Sequence, residues 1–354
     1  MNFTRVIYSF DIADELDLDD IKKLLQDKAK VIVHTEKSDV KYESKPLDIF
    51  FESIYLEEIK KEGKVFMRFY DFGVVSVFID IDFNGLDFDF MKRIRFQVSE
   101  NNFLLDVAKK YLKKVSDIIA EAIEKDIYDF SHHRSWEDYV VFVLKSNSKI
   151  LKTHEKELLS VLYEEPKGKS LANKIVYYYS EPIIVTWNAS VLIGNDSFED
   201  CLKVIEFANV SLLEHRYYDY VLDKNLDEIN QLIETFKNER RKILLTGKLV
   251  KKVEEINSRI FSLSIEVLKN IDKVNNAFKL LGDLEITYLY RKLIEQLRIN
   301  AWKESIEMRL DYLKDLSEFL SQDIKEARMD RMEWIMLILE TLMILFWIWE
   351  LFFS

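Results

Sequence analysis

The chain has 354 residues, 51 basic and 63 acidic, giving a formal net charge of −12, with only 7 Gly, 3 Pro and a single Cys. That balance excludes whole-surface attraction to nucleic acid or anionic lipid, so no DNA partner is expected, although a local basic patch stays open. With 48% hydrophobic and 32% charged residues, so few breakers exclude Gly-rich phosphate loops, collagen and Pro-rich disorder and favour long amphipathic helices. Cys201 alone makes neither an internal disulfide nor a cysteine zinc cage, which points to a reducing compartment. The mean hydropathy of −0.13 describes a soluble average that conceals the last twenty-odd residues.

Residues 1–196 alternate strand and helix patterns and predict an α+β head. RVIYSFDI (5–12) reads as a strand, Leu18, Ile21, Leu24 and Leu25 form a helix stripe, and KVIVHT (30–35) returns to strand spacing. KVFMRFY and VVSVFIDIDF, joined by Asp71-Phe72-Gly73, form the clearest hairpin. In its second arm Val75, Val77, Ile79, Ile81 and Phe83 take one face and Ser76, Asp80 and Asp82 the other. Helices follow at 86–97 and 101–125. A second round runs through a strand at 139–145, a helix at 150–163, and strand patterns at 174–180 and 182–194. The run from Val75 to Asp80 matches that from Ala189 to Gly194 at an offset of 114, so two similar β-α-β-β-α units are expected, at 1–125 and at 137–196 plus the following helix.

From about Ser197 the strand pattern stops, and 197–331 predicts a helical coiled-coil stalk. Leu222, Leu226, Ile229, Ile233 and Phe236 follow 4-3 spacing. Leu249, Val253, Ile256, Ile260, Leu263 and Val267 repeat it, and Ile271, Val274, Phe278 and Leu281 resume it after a stutter. Thr246-Gly247 and Gly282-Asp283 mark the breaks. A third helix from 284 carries Leu310, Leu313, Leu320, Ile324 and Ala327 and runs on into the last segment.

Residues 332–354 predict a single-pass transmembrane anchor. WIMLILETLMILFWIWELFF is interrupted only by Glu340, Thr341 and Glu350, about the 20 residues a bilayer core requires. Trp334 stands at one end and Trp347 and Trp349 at the other, as in an interfacial aromatic belt. Lys325, Arg328 and Arg331 precede the span, so the positive-inside rule keeps the preceding body in the cytoplasm. The carboxyl of Glu340 inside the span is expected to be protonated or paired, most simply with a second copy of the same helix. MNFTRVIYSFDIA enters a strand pattern at once, so neither a signal peptide nor a mitochondrial transit peptide is visible.

Signals for chemistry are weak. Asp71-Phe72-Gly73 spells the kinase magnesium triplet without the rest of the kinase signature, and reads as a turn. Gly168-Lys169-Ser170 ends like a P-loop, but Tyr163 stands where the first glycine belongs. His132 and His133 diverge, and His34, His154 and His215 lack ligand spacing, so no metal and no cofactor is expected. Cys201, beside Val204 and Ile205, reads as a buried apolar residue. The densest polar-aromatic cluster is ANVSLLEHRYYDYVLD (208–223). Glu214, Arg216, Tyr217, Tyr218 and Asp219 within it are assigned to a head–stalk junction, either a structural hinge or a ligand pocket.

Three stretches resemble the required-for-meiotic-nuclear-division family, which includes the YagE-type proteins. They are Gly73-Val74-Val75 in the hairpin, Arg216-Tyr217-Tyr218-Asp219 in the helix, and Glu333-Trp334-Ile335 followed by Glu340 at the end, with Met332 in place of the usual leucine. The resemblance spans about residues 30–345. It implies a membrane-attached protein without established catalytic residues, whose mitochondrial members support organellar translation at the inner membrane as tethers. The expectation is a non-enzymatic, membrane-tethered homo-oligomeric scaffold that holds a cytoplasmic protein or ribosome partner. Two alternatives stay open: binding or processing of a small molecule or nucleotide by the α+β head, and an RNA- or ribosome-binding module.

Overall fold

A computed structural model describes the chain except residues 1, 14, 27–28, 33–39, 124–135, 163–170, 196–197, 244–247, 281–282 and 354. The described chain is a mixed α+β protein with a nine-stranded sheet. Its strands are β1 (Asn2–Asp11), β2 (Lys30–Val31), β4 (Leu47–Leu56), β5 (Lys61–Phe69), β6 (Val74–Phe83), β7 (Trp136–Leu144), β8 (Ile175–Tyr178), β9 (Glu181–Val185) and β10 (Ala189–Ile193). They lie in the order β2-β4-β5-β6-β1-β7-β10-β9-β8. A two-stranded ribbon pairs β3 (Val40–Tyr42) with β11 (Phe278–Leu280). The helices are α1 (Leu18–Leu25), α2 (Phe88–Ser99), α3 (Phe103–Ile123), α4 (Ile150–Thr153), α5 (Glu155–Val161), α6 (Glu199–Ile243), α7 (Lys248–Ala277), α8 (Leu284–Gln296) and α9 (Ile299–Phe353).

Two compact units divide these elements: residues 1–217 with 270–303, and residues 218–269 with 304–354. The boundary read from the loss of strand pattern at 196/197 falls inside the first unit. The reason is burial: Cys201, Val204, Ile205, Ala208, Val210 and Leu213 of α6 are all buried in the sheet's core.

In the first unit both faces of the sheet are covered. Because side chains alternate along a strand, Val6, Tyr8 and Phe10 of β1 enter one core, with Val65, Met67 and Phe69 of β5 and the five expected residues of β6. That core is roofed by α1, α2, α3 and α5. Ile7, Val74, Phe78 and Val141 enter the other, covered by the start of α6 and by α8. Of the polar face expected of β6, Ser76 is fully buried and Asp80 half-buried, whereas Asp82 stays toward solvent, paired with Lys64 at 3.2 Å.

The β5–β6 hairpin forms as expected. Its turn closes with Tyr70 N–H donating to Val74 O at 2.9 Å and Gly73 N–H to Tyr70 O at 3.2 Å. Gly73 takes φ 96°, a backbone setting that favours glycine, and Asp71-Phe72-Gly73 is a turn. β1 and β7 lie near their predicted positions, whereas the stretch 182–194 divides into two strands around Thr186-Trp187-Asn188. The helix expected at 150–163 breaks at His154. The two strand–helix sets separated by 114 residues differ in topology. β6 runs antiparallel to β1 and is followed by α2 on the first face, whereas β10 runs parallel to β7 and is followed by α6 on the second.

Two helical expectations are corrected. The seam does not continue through Phe278, because residues 278–280 form a strand against β3. The helix from 284 does not run unbroken, because Arg298 turns to φ 55° between α8 and α9. That reset buries Leu297 and Ile299 together in the sheet's second core, which side chains two apart on one straight helix would not achieve. Asp283 caps α8, accepting from the N–H of Glu285 at 2.8 Å and of Ile286 at 3.2 Å. His34, His132, His133, Tyr163, Gly168-Lys169-Ser170, Ser197, Thr246-Gly247, Leu281 and Gly282 lie outside the described residues.

Candidate functional site

The first unit carries a buried ion network between its sheet and the start of α6. Strand alternation puts Phe3, Arg5, Ile7 and Ser9 of β1, Arg68 of β5, and Ser76, Phe78 and Asp80 of β6 beneath α6. On α6, Leu202, Glu206 and Asn209 stand at i, i+4 and i+7 on the face that meets them. Arg68 donates through Nε and Nη2 to Asp48 at 2.6 and 2.8 Å, and through Nη1 to Glu206 at 3.0 Å. Glu206 also accepts from the Tyr70 hydroxyl at 2.6 Å and the Ser76 hydroxyl at 2.6 Å. The polar chain continues from Ser76 to Ser9 at 3.1 Å, and Asn209 Nδ2 donates to Ser9 at 3.1 Å. Glu206 is 1% exposed, Arg68 7% and Asp48 8%, so these charges have left water and depend on one another. Burial, reinforced by Glu206, raises the pKa of Tyr70 well above its usual value and keeps its hydroxyl a donor.

This network floors a cavity of about 280 Å³. Its apolar walls include Phe3, Phe78, Phe198, Val143 and Leu202, and its charged lining is Arg5, Arg68, Lys145, Lys203, Glu199 and Glu206. Arg5 pairs with Asp80 through Nε at 2.8 Å and Nη2 at 2.6 Å. The guanidinium carbons of Arg5 and Arg68, on the two strands that flank β6, lie 5.2 and 5.7 Å from the Phe78 ring centre, so one ring contacts both cations. Lys203 pairs with Asp200 at 3.0 Å, and Lys145 Nζ donates to Asn195 O at 3.1 Å.

A second polar group in this unit takes up part of the expected junction cluster. Arg216 of α6 donates to Glu137 of β7, and its guanidinium carbon lies 5.8 Å from the Trp302 ring centre. Burial pushes Glu137 up to about 7, against the opposing pull of Arg216. His215 Nδ1 donates to Ser211 O at 2.7 Å, and burial lowers its pKa. Glu214 is buried, and Tyr217 is half-buried. Tyr218 and Asp219 fall in the other unit, where Asp219 accepts from Arg309 at 2.6 Å.

In that second unit the seam residues Leu222, Ile229, Ile233, Leu313 and Leu320 are buried within the single chain, and Leu226 is half-buried. Ile324 lies in α9, with its side chain outside the described residues. Polar ties join the three helices: Arg309 reaches Asp219 and Asp223 from α9 to α6, Arg259 reaches Asn225 and Glu228 from α7 to α6, and Asn257 donates to Ser321 at 3.0 Å. Along α9, residues 332–349 are long and apolar enough to cross a membrane, and none of that stretch is buried. Glu333, Trp334, Ile335, Glu340, Trp347 and Trp349 all lie on it and are exposed. Thr341 turns its hydroxyl onto Leu337 O at 2.6 Å, which satisfies it within the helix.

Among the described residues no group of three or more His, Cys, Asp or Glu is placed to hold a metal ion. Cys201 is buried, and burial raises its pKa well above the usual thiol value. Sequence reasoning missed the Arg68–Glu206 site because its members sit 138 positions apart. The available signal was Glu206 itself, a lone carboxylate in the otherwise apolar run from Val204 to Ala208.

Residues 1–199 match the family described as "Uncharacterized protein MJ0711, N-terminal domain". That is more than half of the chain, and the chain belongs to this family. No curated protein and no solved structure matches it.

Proposed function

We propose that this chain is a non-enzymatic membrane-tethered scaffold, with an α+β head, a coiled-coil stalk of α6, α7 and α9, and a membrane-crossing segment at 332–349. The observation that carries the reading is the unburied apolar stretch of α9, continuous in one helix with residues 304–331. Lys325, Arg328 and Arg331 immediately before it favour a cytoplasmic position for the preceding body. Glu340 lies at the middle of the stretch, where a lone charge costs about 2.5–3.5 kcal/mol on insertion scales. A neighbouring copy of the same helix relieves that cost through paired carboxyls. Homo-oligomerisation is therefore assigned to the span, since the described seam residues Leu222, Ile229, Ile233, Leu313 and Leu320 are already buried within one chain. The partner held at the membrane is proposed to be translation machinery. The resemblance at Gly73-Val74-Val75, Arg216-Tyr217-Tyr218-Asp219 and Glu333-Trp334-Ile335 supports that choice.

Alkaline carbonate extraction of membranes from cells expressing the full chain tests the anchor. The wild-type protein stays in the pellet, while the double variant Leu337→Lys, Ile344→Lys moves to the supernatant with its circular dichroism retained. Wild-type protein released as a folded, soluble species removes the membrane reading. Cross-linking in the same membranes tests association, and monomer alone removes the oligomer.

A further inference from the structure

We propose that the cavity beneath the first turns of α6 binds a small organic carboxylate with an aromatic or branched aliphatic body, seated by Arg5. Three observations lead there. The first is the cost of the floor: taking Arg68, Asp48 and Glu206 out of water is weak evidence for stability, since apolar replacements of such buried groups are often neutral or better. Their arrangement makes more sense as a means of holding something at the cavity they line.

The second is residual hydrogen-bonding capacity. Arg68 commits Nε and Nη2 to Asp48 and Nη1 to Glu206, and Glu206 already accepts from Arg68, Tyr70 and Ser76. That floor is built and satisfied. Arg5 differs, because it pairs with Asp80 through Nε and Nη2 only, leaving both N–H groups of Nη1 without an acceptor among the described residues. Asp80 and the Phe78 ring fix the guanidinium plane, so its unused edge is preorganised for one more anion.

The third is the balance of charge and shape, which selects the ligand class. Arg5, Arg68, Lys145 and Lys203 line the cavity, but Asp80, Asp48 and Asp200 stand behind three of them, and Glu199 and Glu206 complete the lining. The local charge is close to neutral, so no field draws in a polyphosphate. A monoanion held by directional donors fits better. Phe3, Phe78, Phe198, Val143 and Leu202 then take an apolar body. A volume of about 280 Å³ stands at the small end of ligand cavities, which run to roughly 300–1,000 Å³, and it is too small for a dinucleotide.

Isothermal titration of the full chain in nanodiscs, corrected with empty nanodiscs, tests the site. The probes are phenylacetate, 4-methylpentanoate, 2-phenylethanol and phenyl phosphate. Saturable binding is expected for the two carboxylates, with 2-phenylethanol at least about tenfold weaker because a charge-assisted pair to Arg5 is lost. Arg5→Lys weakens phenylacetate by a similar factor. Val143→Phe fills the cavity from β7 without touching any ion pair, and abolishes binding while Tm is retained. No saturable binding of either carboxylate at millimolar concentration overturns the proposal, as does 2-phenylethanol binding as tightly as phenylacetate. Phenyl phosphate binding tenfold tighter than phenylacetate overturns the ligand class. The comparison among probes needs no variant, so poor folding of Arg5→Lys does not shelter the proposal.

Discussion

Glu206→Gln isolates what the buried network contributes to the first unit. The variant keeps the side chain's shape and removes its charge, leaving Arg68 with Asp48 as its only close carboxylate. At the Oε1 position the Ser76 hydroxyl, now 2.6 Å from its acceptor, meets either an amide oxygen or an NH₂ group that also donates. At the Oε2 position Arg68 at 3.0 Å and Tyr70 at 2.6 Å face the same choice, so at least one of the three donors loses its acceptor. Hydrogen bonds to charged groups contribute about 1.5–3 kcal/mol each, and breaking a buried ion pair from one side costs about 3–5 kcal/mol. With Glu206 1% exposed and three donors fixed on it, a loss of about 3–5 kcal/mol is expected. Urea unfolding monitored by near-UV circular dichroism reads this as a lower midpoint at unchanged slope. Tyr70→Phe and Ser76→Ala each remove one donor to the Glu206 carboxylate and cost about 1.5–3 kcal/mol, below the charge removal. A Glu206→Gln variant within about 1 kcal/mol of wild type refutes the account, because the carboxylate is then not what holds the three donors.

Glu137 makes stability depend on pH. Its folded pKa of about 7 lies above the unfolded carboxyl value, so the folded state binds the extra proton between roughly pH 4.5 and 7, and this group's contribution to stability falls as pH rises through that window. Glu137→Gln removes that slope, and a urea midpoint whose pH dependence is the same in variant and wild type argues against the shift. Arg298→Gly relieves a left-handed residue at φ 55° and is expected to stabilise by about 1 kcal/mol, read as a higher thermal midpoint. Cys201, buried with a raised pKa, should react with a thiol reagent only after denaturation; rapid labelling of the native chain would contradict its burial.

Much of the sheet is legible because alternation reports burial. Val75, Val77, Ile79, Ile81 and Phe83 on β6 announce a face packed against helices, and it is so packed. The same alternation misleads on the opposite face. Ser76 and Asp80 look like the solvated side of a half-exposed strand, but α6 covers that side. β4 escapes the period-two pattern for a local reason: its register with β5 slips between Phe50 and Glu52, so residues before and after the irregularity face differently. The break at Arg298 is equally silent. Neither Gly nor Pro marks it, and it exists because tertiary burial of Leu297 and Ile299 outweighs the roughly 1–2 kcal/mol cost of a left-handed residue.

The candidate site was hidden for a related reason. Each member obeys the rules of its own element: Arg68 alternates correctly on β5, Arg5 on β1, and Glu206 fits the period of α6. Only the meeting of the three elements turns ordinary polar positions into a buried network. A lone carboxylate in the apolar run from Val204 to Ala208 is costly unless donors wait for it. A lone arginine on β5, whose opposite face is apolar, is costly unless an acceptor does. Read together, those two local violations require each other, and at 3.0 Å Arg68 and Glu206 satisfy both. Glu340 poses the same problem at the middle of the apolar stretch of α9, where the single chain supplies no buried surroundings. If the span associates as proposed above, Glu340→Ala weakens cross-linking between copies while leaving the first unit's unfolding unchanged, and cross-linking equal to wild type removes the paired-carboxyl reading.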